Sequence, residues 1–382
     1  MATSLAPVLP VVPEPVLPDF DGRCIVNLAS GVLAARTGSG PDWLPAGVGE
    51  ARQVVLLVLD GLGWLQLEDR PNLAPTITGA LAGQLTSVAP STTAAALTSL
   101  STGLPPAVHG VVGYRVGVGQ GVLNVLGWRV DGADARASIR AHDFQPFAAF
   151  PGTGRPVPVV SRAEYASTGF SAAHLGGLPL RGWYTPSGLV VGVRQQLEAG
   201  EPFVYAYYDG VDRTAHACGL GEHYDAELAA VDRLVADIVD GLVPGSALVV
   251  TADHGQVDVG PSVQVLGPEV MDGVTMLSGE GRFRWLHARP GAADDVAAAA
   301  EATFGHLAWV RTKASVIDEG WLGGEPVPAV ADRLGDVALV PFEPTAFLDP
   351  ADTGELRLVA RHGSLTPAEM LVPLAVWSYG GP

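Results

Sequence analysis

Seven side chains able to ligate a metal or attack an electrophile sit in five short, widely separated motifs. Asp60 lies in VVLLVLDGLGW and Thr93 in APSTTAAALTSLSTGLPPAVHG. Asp212 and His216 lie in YAYYDGVDRTAH, Asp253 and His254 in ALVVTADHG, and His362 in ARHGSLTP. Oxygen and imidazole ligands of this mix suit zinc and similar borderline cations. Two such ions a few ångströms apart can clamp both the attacking and the leaving oxygen of a phosphoryl transfer. The residue types therefore point to a pair of divalent ions.

Each motif alone also has a plain structural reading. An Asp after a strand can start a turn. Asp212 and His216 are four positions apart, so a helical turn would put both on one face. His362 precedes a glycine, as in a tight turn. Ser91, Thr92 and Thr93 place hydroxyls in a row at the start of a helical pattern. At least one of them is expected to be an N-cap. Another could face a metal, with the helix end stabilising an alkoxide and a bound phosphate. The plain readings fit any one motif and do not readily explain all of them together.

The elements around these residues suit the same purpose. Residues 54–61, 203–210 and 247–255 contain continuous apolar, β-branched runs, the pattern of parallel strands buried on both faces. Each leads into potential ligands, as expected where an open α/β sheet places its site at the carboxyl ends of its strands. A helix is predicted over 91–103, stopping at Gly103. Another is predicted over 224–242, with Leu228, Val231, Val235, Ile238 and Leu242 on one stripe. Residues 24–38 read as a short helix. Residues 115–200, rich in Gly and Pro, and 258–345 read as insertions. The second should hold a small β–α–β unit over 282–313. The expected organisation is one catalytic domain over 20–382, a cap or substrate region over 115–200, a small second insertion over 258–345, and a Pro-rich extension over 1–19. The expected fold is a three-layer α/β/α sandwich with a mostly parallel central sheet.

The chain has 382 residues, of which 48% are hydrophobic, enough for a large core. The net charge of −18 comes without a Lys/Arg cluster, so binding to a nucleic-acid polymer is not expected. Acidity does not exclude a small anionic substrate, because divalent ions invert the local field. Cys24 and Cys218 are the only cysteines. They read as free thiols, with Cys218 a small buried residue near the site. The first residues lack the basic start of a signal peptide, and no run of about 18 apolar residues occurs. The expectation is a cytoplasmic protein with no membrane span.

Taken in order, the motifs resemble the type I phosphodiesterase/nucleotide pyrophosphatase branch of the alkaline phosphatase superfamily. The branch shows a strand ending in Asp, matched by Asp60. It shows a Thr nucleophile nine residues before T-G-L, and Thr93 stands nine before Thr102-Gly103-Leu104, with His109-Gly110 following. Asp212 and His216 match its D-x-x-x-H, Asp253-His254-Gly255 its D-H-G, and His362-Gly363 its closing H-G. The resemblance implies two divalent ions of the Zn2+ type. One would be held by Asp212, His216 and His362, the other by Asp60, Asp253, His254 and the Thr93 hydroxyl. It implies attack by Thr93, a phospho-threonine intermediate, and a small phosphate-ester or nucleotide substrate.

The chain departs from the branch at two places. Thr93 is followed by Ala94-Ala95-Ala96-Leu97 where the branch commonly reads F-P-N-H. Tyr114 stands where the branch often has an Asn that donates to the phosphoryl oxygen. The Tyr114 hydroxyl could serve that purpose, or Tyr114 could pack the pocket wall; Arg115 beside it could meet a charged leaving group or be a solvated surface arginine. Phosphomonoesterase and phosphonate hydrolase activities of the same superfamily are the alternatives. A sulfatase would need C/S-x-P-x-R, which the Thr93 segment lacks. A degenerate, non-catalytic member would not be expected to keep every ligand type.

Overall fold

The structure is a computed structural model that describes residues 12–119, 121–352, 354 and 357–379. Its centre is a seven-stranded sheet. The strands are β1 (Gln53–Leu59), β2 (Leu81–Thr86), β3 (Val159–Arg162), β4 (Leu180–Trp183), β5 (Phe203–Tyr208), β6 (Ser246–Thr251) and β7 (Leu371–Ser378). Their spatial order is β2-β7-β6-β1-β5-β3-β4. From β6 to β4 all neighbours are parallel. β7 alone runs the other way, paired antiparallel to both β6 and β2.

The three apolar runs form the middle of this sheet. Val54 to Leu59 are fully buried, and every residue of β5 and β6 is buried. Strands covered on both faces cannot alternate polar and apolar residues, which is why these read as unbroken hydrophobic runs. Adjacent parallel strands end together, so Asp60, Asp209 and the Asp253-His254 pair emerge at one edge of the sheet. Helices complete the layers: α1 (Thr93–Thr102), α2 (Gly210–Cys218) and α3 (Glu222–Asp240). α3 buries Leu228, Val231, Leu234, Val235 and Ile238. Residues 24–38 give a 3-10 turn, Ile25–Asn27, followed by a helix, Leu28–Ala35.

The stretch 115–200 does not all lie outside the sheet. It supplies β3, β4 and the helix Pro186–Glu198, besides a four-stranded meander over 115–134. β3 and β4 are four residues each and lie at the sheet's far edge. Strands so short carry no long apolar run, and the surrounding Gly and Pro hide them.

Residues 274–341 contain a second, four-stranded sheet in the order 274–280, 283–288, 337–341, 308–312. The expected β–α–β unit is there, with 283–288 and 308–312 both antiparallel to 337–341 between them. Its helix, Ala293–Phe304, packs Val296, Ala300 and Phe304 into a core of its own with Leu277, Leu286, Leu339 and Phe347. Of the Pro-rich extension, residues 12–19 carry no helix or strand. They are tied down by Val16 N–H on the Leu365 carbonyl and by Trp309 Nε1 donating to Pro13. The rest, 1–11, lies outside the described residues. Among the described residues, no helix is long and apolar enough to cross a membrane.

Candidate metal centre

Thr93 is the first residue of α1, so its hydroxyl sits at the positive end of a ten-residue helix. Thr92 holds the N-cap position with extended dihedrals, yet its side chain accepts nothing from the helix. Ser91 does not cap either: its hydroxyl donates to the Ser364 carbonyl at 2.6 Å. The expected cap is thus absent, and these residues tie the helix start to the His362 loop instead.

Thr93 Oγ1 lies 3.1 Å from His254 Nε2. Asp60 Oδ1 and Asp253 Oδ2 lie 3.4 and 3.6 Å from the same nitrogen. Both oxygens are buried and have no hydrogen-bond partner. Their sister oxygens are held: Asp60 Oδ2 by the Tyr207 hydroxyl, Asp253 Oδ1 by Gly61 N–H and His254 N–H, each at 3.1 Å. A buried carboxylate oxygen left open costs free energy unless something fills the place it faces. Two such oxygens, an imidazole nitrogen and a hydroxyl around one point fit a divalent cation.

The second group centres on Asp212. Its Oδ1 lies 3.2 Å from His216 Nε2 and 3.8 Å from His362 Nε2. Asp212, His254 and His362 bring one ligand atom each within 4.8 Å of one another. The His254 and His362 rings stack at 3.5 Å, joining the two groups. Every expected ligand is therefore in one cluster, with His254 close to both centres.

The three imidazoles share one device. His216 Nδ1 donates to Ala360 at 2.7 Å, His362 Nδ1 to Ser91 at 2.9 Å, and His254 Nδ1 to Gly255 at 3.1 Å, all backbone carbonyls. This fixes the tautomer and leaves each Nε2 as the ligand atom. The electrostatics agree. Burial, then the Asp253 charge, push the Asp60 carboxyl well above the usual range, and burial raises Asp253. Burial, then His254 and His216, hold His362 well below the usual imidazole value. Crowded, buried carboxylates and a neutral His362 imidazole suit a bound cation.

Two cavities meet at Thr93 and Asp212. One, of about 210 Å³, is lined by Leu97, Leu126, Tyr165, Phe170 and Asp209. The other, of about 290 Å³, is lined by Tyr114, His216, Glu280, Arg361 and His362. Tyr114 Oη accepts from Asn124 Nδ2 at 2.6 Å. Arg115 does not reach either cavity's chemistry; it is buried in ion pairs with Asp349 and Asp352. Cys218 is exposed, contrary to the expectation of burial, because α2 ends there at the surface; Cys24 is buried, and both are free thiols. His109 is also away from the cluster. Its ring joins Ser99 at 2.8 Å and accepts from Val111 N–H, bracing α1.

Several supporting residues escaped the sequence reading. Tyr207 was hidden inside an apolar run. Gln256, fully buried, donates to Asp212 Oδ1 at 2.5 Å; its only signal was a polar side chain directly after D-H-G. Asp209, at the tip of β5, is held by Arg162 at 2.6 Å and by the Tyr165 hydroxyl at 2.6 Å, and so anchors the cavity wall.

No curated protein sequence matches the chain. Among solved structures, murine ectonucleotide pyrophosphatase/phosphodiesterase 5 superposes with a TM-score of 0.64 at 18% identity, over 85% of this chain and 87% of that one. The human protein gives 0.65 at 16%, over 85% and 88%. An inactive Thr-to-Ala variant of the murine protein, in complex with AMP, gives 0.63 at 17%, over 85% and 87%. These likenesses establish an alkaline phosphatase-like α/β fold. The family model for type I phosphodiesterase/nucleotide pyrophosphatase matches residues 54–365, from β1 through the His362 loop, and the chain belongs to that family.

Proposed function

We propose that the chain is a two-metal hydrolase of phosphodiester or pyrophosphate bonds that works through a phospho-threonine intermediate. The observation that carries it is the convergence of Thr93 Oγ1 with the open oxygens of Asp60 and Asp253 on His254 Nε2. Asp60, Asp253, His254 and Thr93 would hold one ion, and Asp212, His216 and His362 the other. When bound, a pair of zinc-type ions supplies Lewis acidity at the attacking and leaving oxygens.

The chain's own residues supply the rest. The Thr93 hydroxyl attacks phosphorus and the leaving alkoxide or phosphate departs. Water then cleaves the phospho-threonine and restores the hydroxyl. The N-terminus of α1 offers its dipole to the phosphoryl oxygens. Tyr114, on the wall of the larger cavity, donates its hydroxyl to a phosphoryl oxygen in place of the family's usual Asn.

The two cavities favour a diester over a monoester, because a diester carries one group on each side of phosphorus and both would be housed. The AMP complex of the murine relative supports a nucleotide as one of those groups. The net charge of −18 argues against a nucleic-acid polymer.

Three assays test this. Reconstituted protein is expected to hold about two zinc ions per chain by elemental analysis. A nitrophenyl diester and a nucleoside triphosphate should be turned over faster than a nitrophenyl monoester; the opposite ranking would favour a phosphomonoesterase. Thr93→Ala should keep the fold and lose turnover, Thr93→Ser should retain part of it, and mass spectrometry of a trapped enzyme should place phosphate on Thr93. Phosphate on Ser91 or Thr92 would refute the nucleophile.

A further inference from the structure

Glu369 and Arg282 are both fully buried and 87 positions apart. Arg282 comes from the hairpin tip of the second sheet. Its Nε and Nη2 each donate to the Glu369 carboxylate at 2.7 Å, and its remaining donors reach the carbonyls of Pro341, Glu343 and Thr345. The Glu369 carboxylate also accepts from Ser364 N–H at 3.0 Å and the Thr366 hydroxyl at 2.6 Å. All its acceptor places are filled.

These bonds lead to both stacked imidazoles. Ser364 accepts from the Ser91 hydroxyl, Ser91 N–H donates to Gly363, and the Ser91 carbonyl orients His362. The Glu369 carbonyl accepts from Gly255 N–H at 2.8 Å, and the Gly255 carbonyl orients His254. One residue thus reaches the His362 loop through its side chain and the His254 loop through its backbone. A buried ion pair is weak evidence for stability, and in some proteins such pairs serve to fix one arrangement.

We infer that Glu369, clamped by Arg282, is a positioning residue that sets His362 against His254 and so controls occupancy of the Asp212–His216–His362 ion site. The inference rests on the two-ion reading. The side chain and backbone routes separate its effects. Replacing the carboxylate frees the Ser364 loop and leaves the Gly255 bond in place.

The test is zinc affinity of the full chain, measured by competition with a chelator and by elemental analysis, with near-ultraviolet circular dichroism to follow the fold. Glu369→Gln should weaken one of two zinc ions by roughly 10–100-fold, the range for residues that orient a metal ligand, and leave the other unchanged. Its lost turnover should return at raised zinc. Folded Glu369→Gln that binds both ions as the wild type does would overturn the proposal. If Glu369→Gln does not fold, Thr366→Val decides, since it removes a bond to the Glu369 carboxylate itself and keeps the buried ion pair. A several-fold loss of one ion supports the proposal, and unchanged affinity overturns it. Wild-type protein that takes fewer than two ions would instead bring down the two-ion reading, and the inference with it.

Discussion

Asp60→Asn should stabilise the protein without metal and destabilise it with metal. Asp60 and Asp253 are both buried and place candidate ligand oxygens within 4.8 Å of each other. Two unit charges at that distance repel by about 3.5 kcal/mol at an effective dielectric of 20. An Asn at 60 can still accept from Tyr207 and turns its amide toward Asp253 Oδ2, replacing repulsion by a hydrogen bond. In chelator at pH 8, urea denaturation should find Asp60→Asn more stable than wild type by up to about 3 kcal/mol. The pH dependence has a definite sign. The Asp60 carboxyl is raised in the folded state, so the wild type loses stability as pH climbs from the ordinary carboxylate value toward the raised one. The gap should therefore shrink on acidification, by at most about 1.4 kcal/mol per pH unit. In zinc at about a thousand times the dissociation constant, the wild type gains roughly 4 kcal/mol. The variant lacks a ligand and gains less, so the order reverses. A wild type more stable than Asp60→Asn in chelator at pH 8 would refute the reasoning, as would a gap that stays constant down to pH 4.

Tyr114→Phe should cost about 2–4 kcal/mol in the transition state if the hydroxyl donates to a phosphoryl oxygen. It would appear as a lower kcat with zinc content unchanged, whereas a loss near zero makes Tyr114 a wall. His109, buried and near Arg333, is held down to about 3 and stays neutral in the fold. Unfolding lets it take a proton below its ordinary 6.5, so stability should fall on acidification from there toward 3, by up to about 1.4 kcal/mol per pH unit. His109→Gln should flatten that slope in urea titrations at successive pH values; an unchanged slope would assign the acid sensitivity elsewhere.

The middle of the fold was legible because its strands are buried on both faces and end in charged residues. A carboxylate directly after VVLLVL is a large departure from its surroundings, and so is Asp-His after LVVTA. The edge was not legible. β3 and β4 are four residues each, and the pairing of β3 with β5 and of β4 with β3 is decided by tertiary contact. Arg115 and Cys218 failed for a related reason. Whether a side chain is buried depends on partners, such as Asp349, that lie far along the chain.

Ligand orientation was the least legible feature, and the reason is chemical. Each imidazole is set by a backbone carbonyl, and a carbonyl carries no residue identity. Ala360, Ser91 and Gly255 therefore leave no mark of that role as side chains. A trace remains in the glycines that follow two of the imidazoles. A Cβ on Gly255 would run into the Ala368 carbonyl and the Gly63 backbone. Gly363 has φ +127, and a Cβ there would press on Glu280 at 2.9 Å. The glycine of D-H-G thus marks a close approach of backbone beside His254, and that of the closing H-G a left-handed turn packed on the Glu280 side chain beside His362. The motif names the candidate ligand by its side chain, and the carbonyl that orients it goes unnamed.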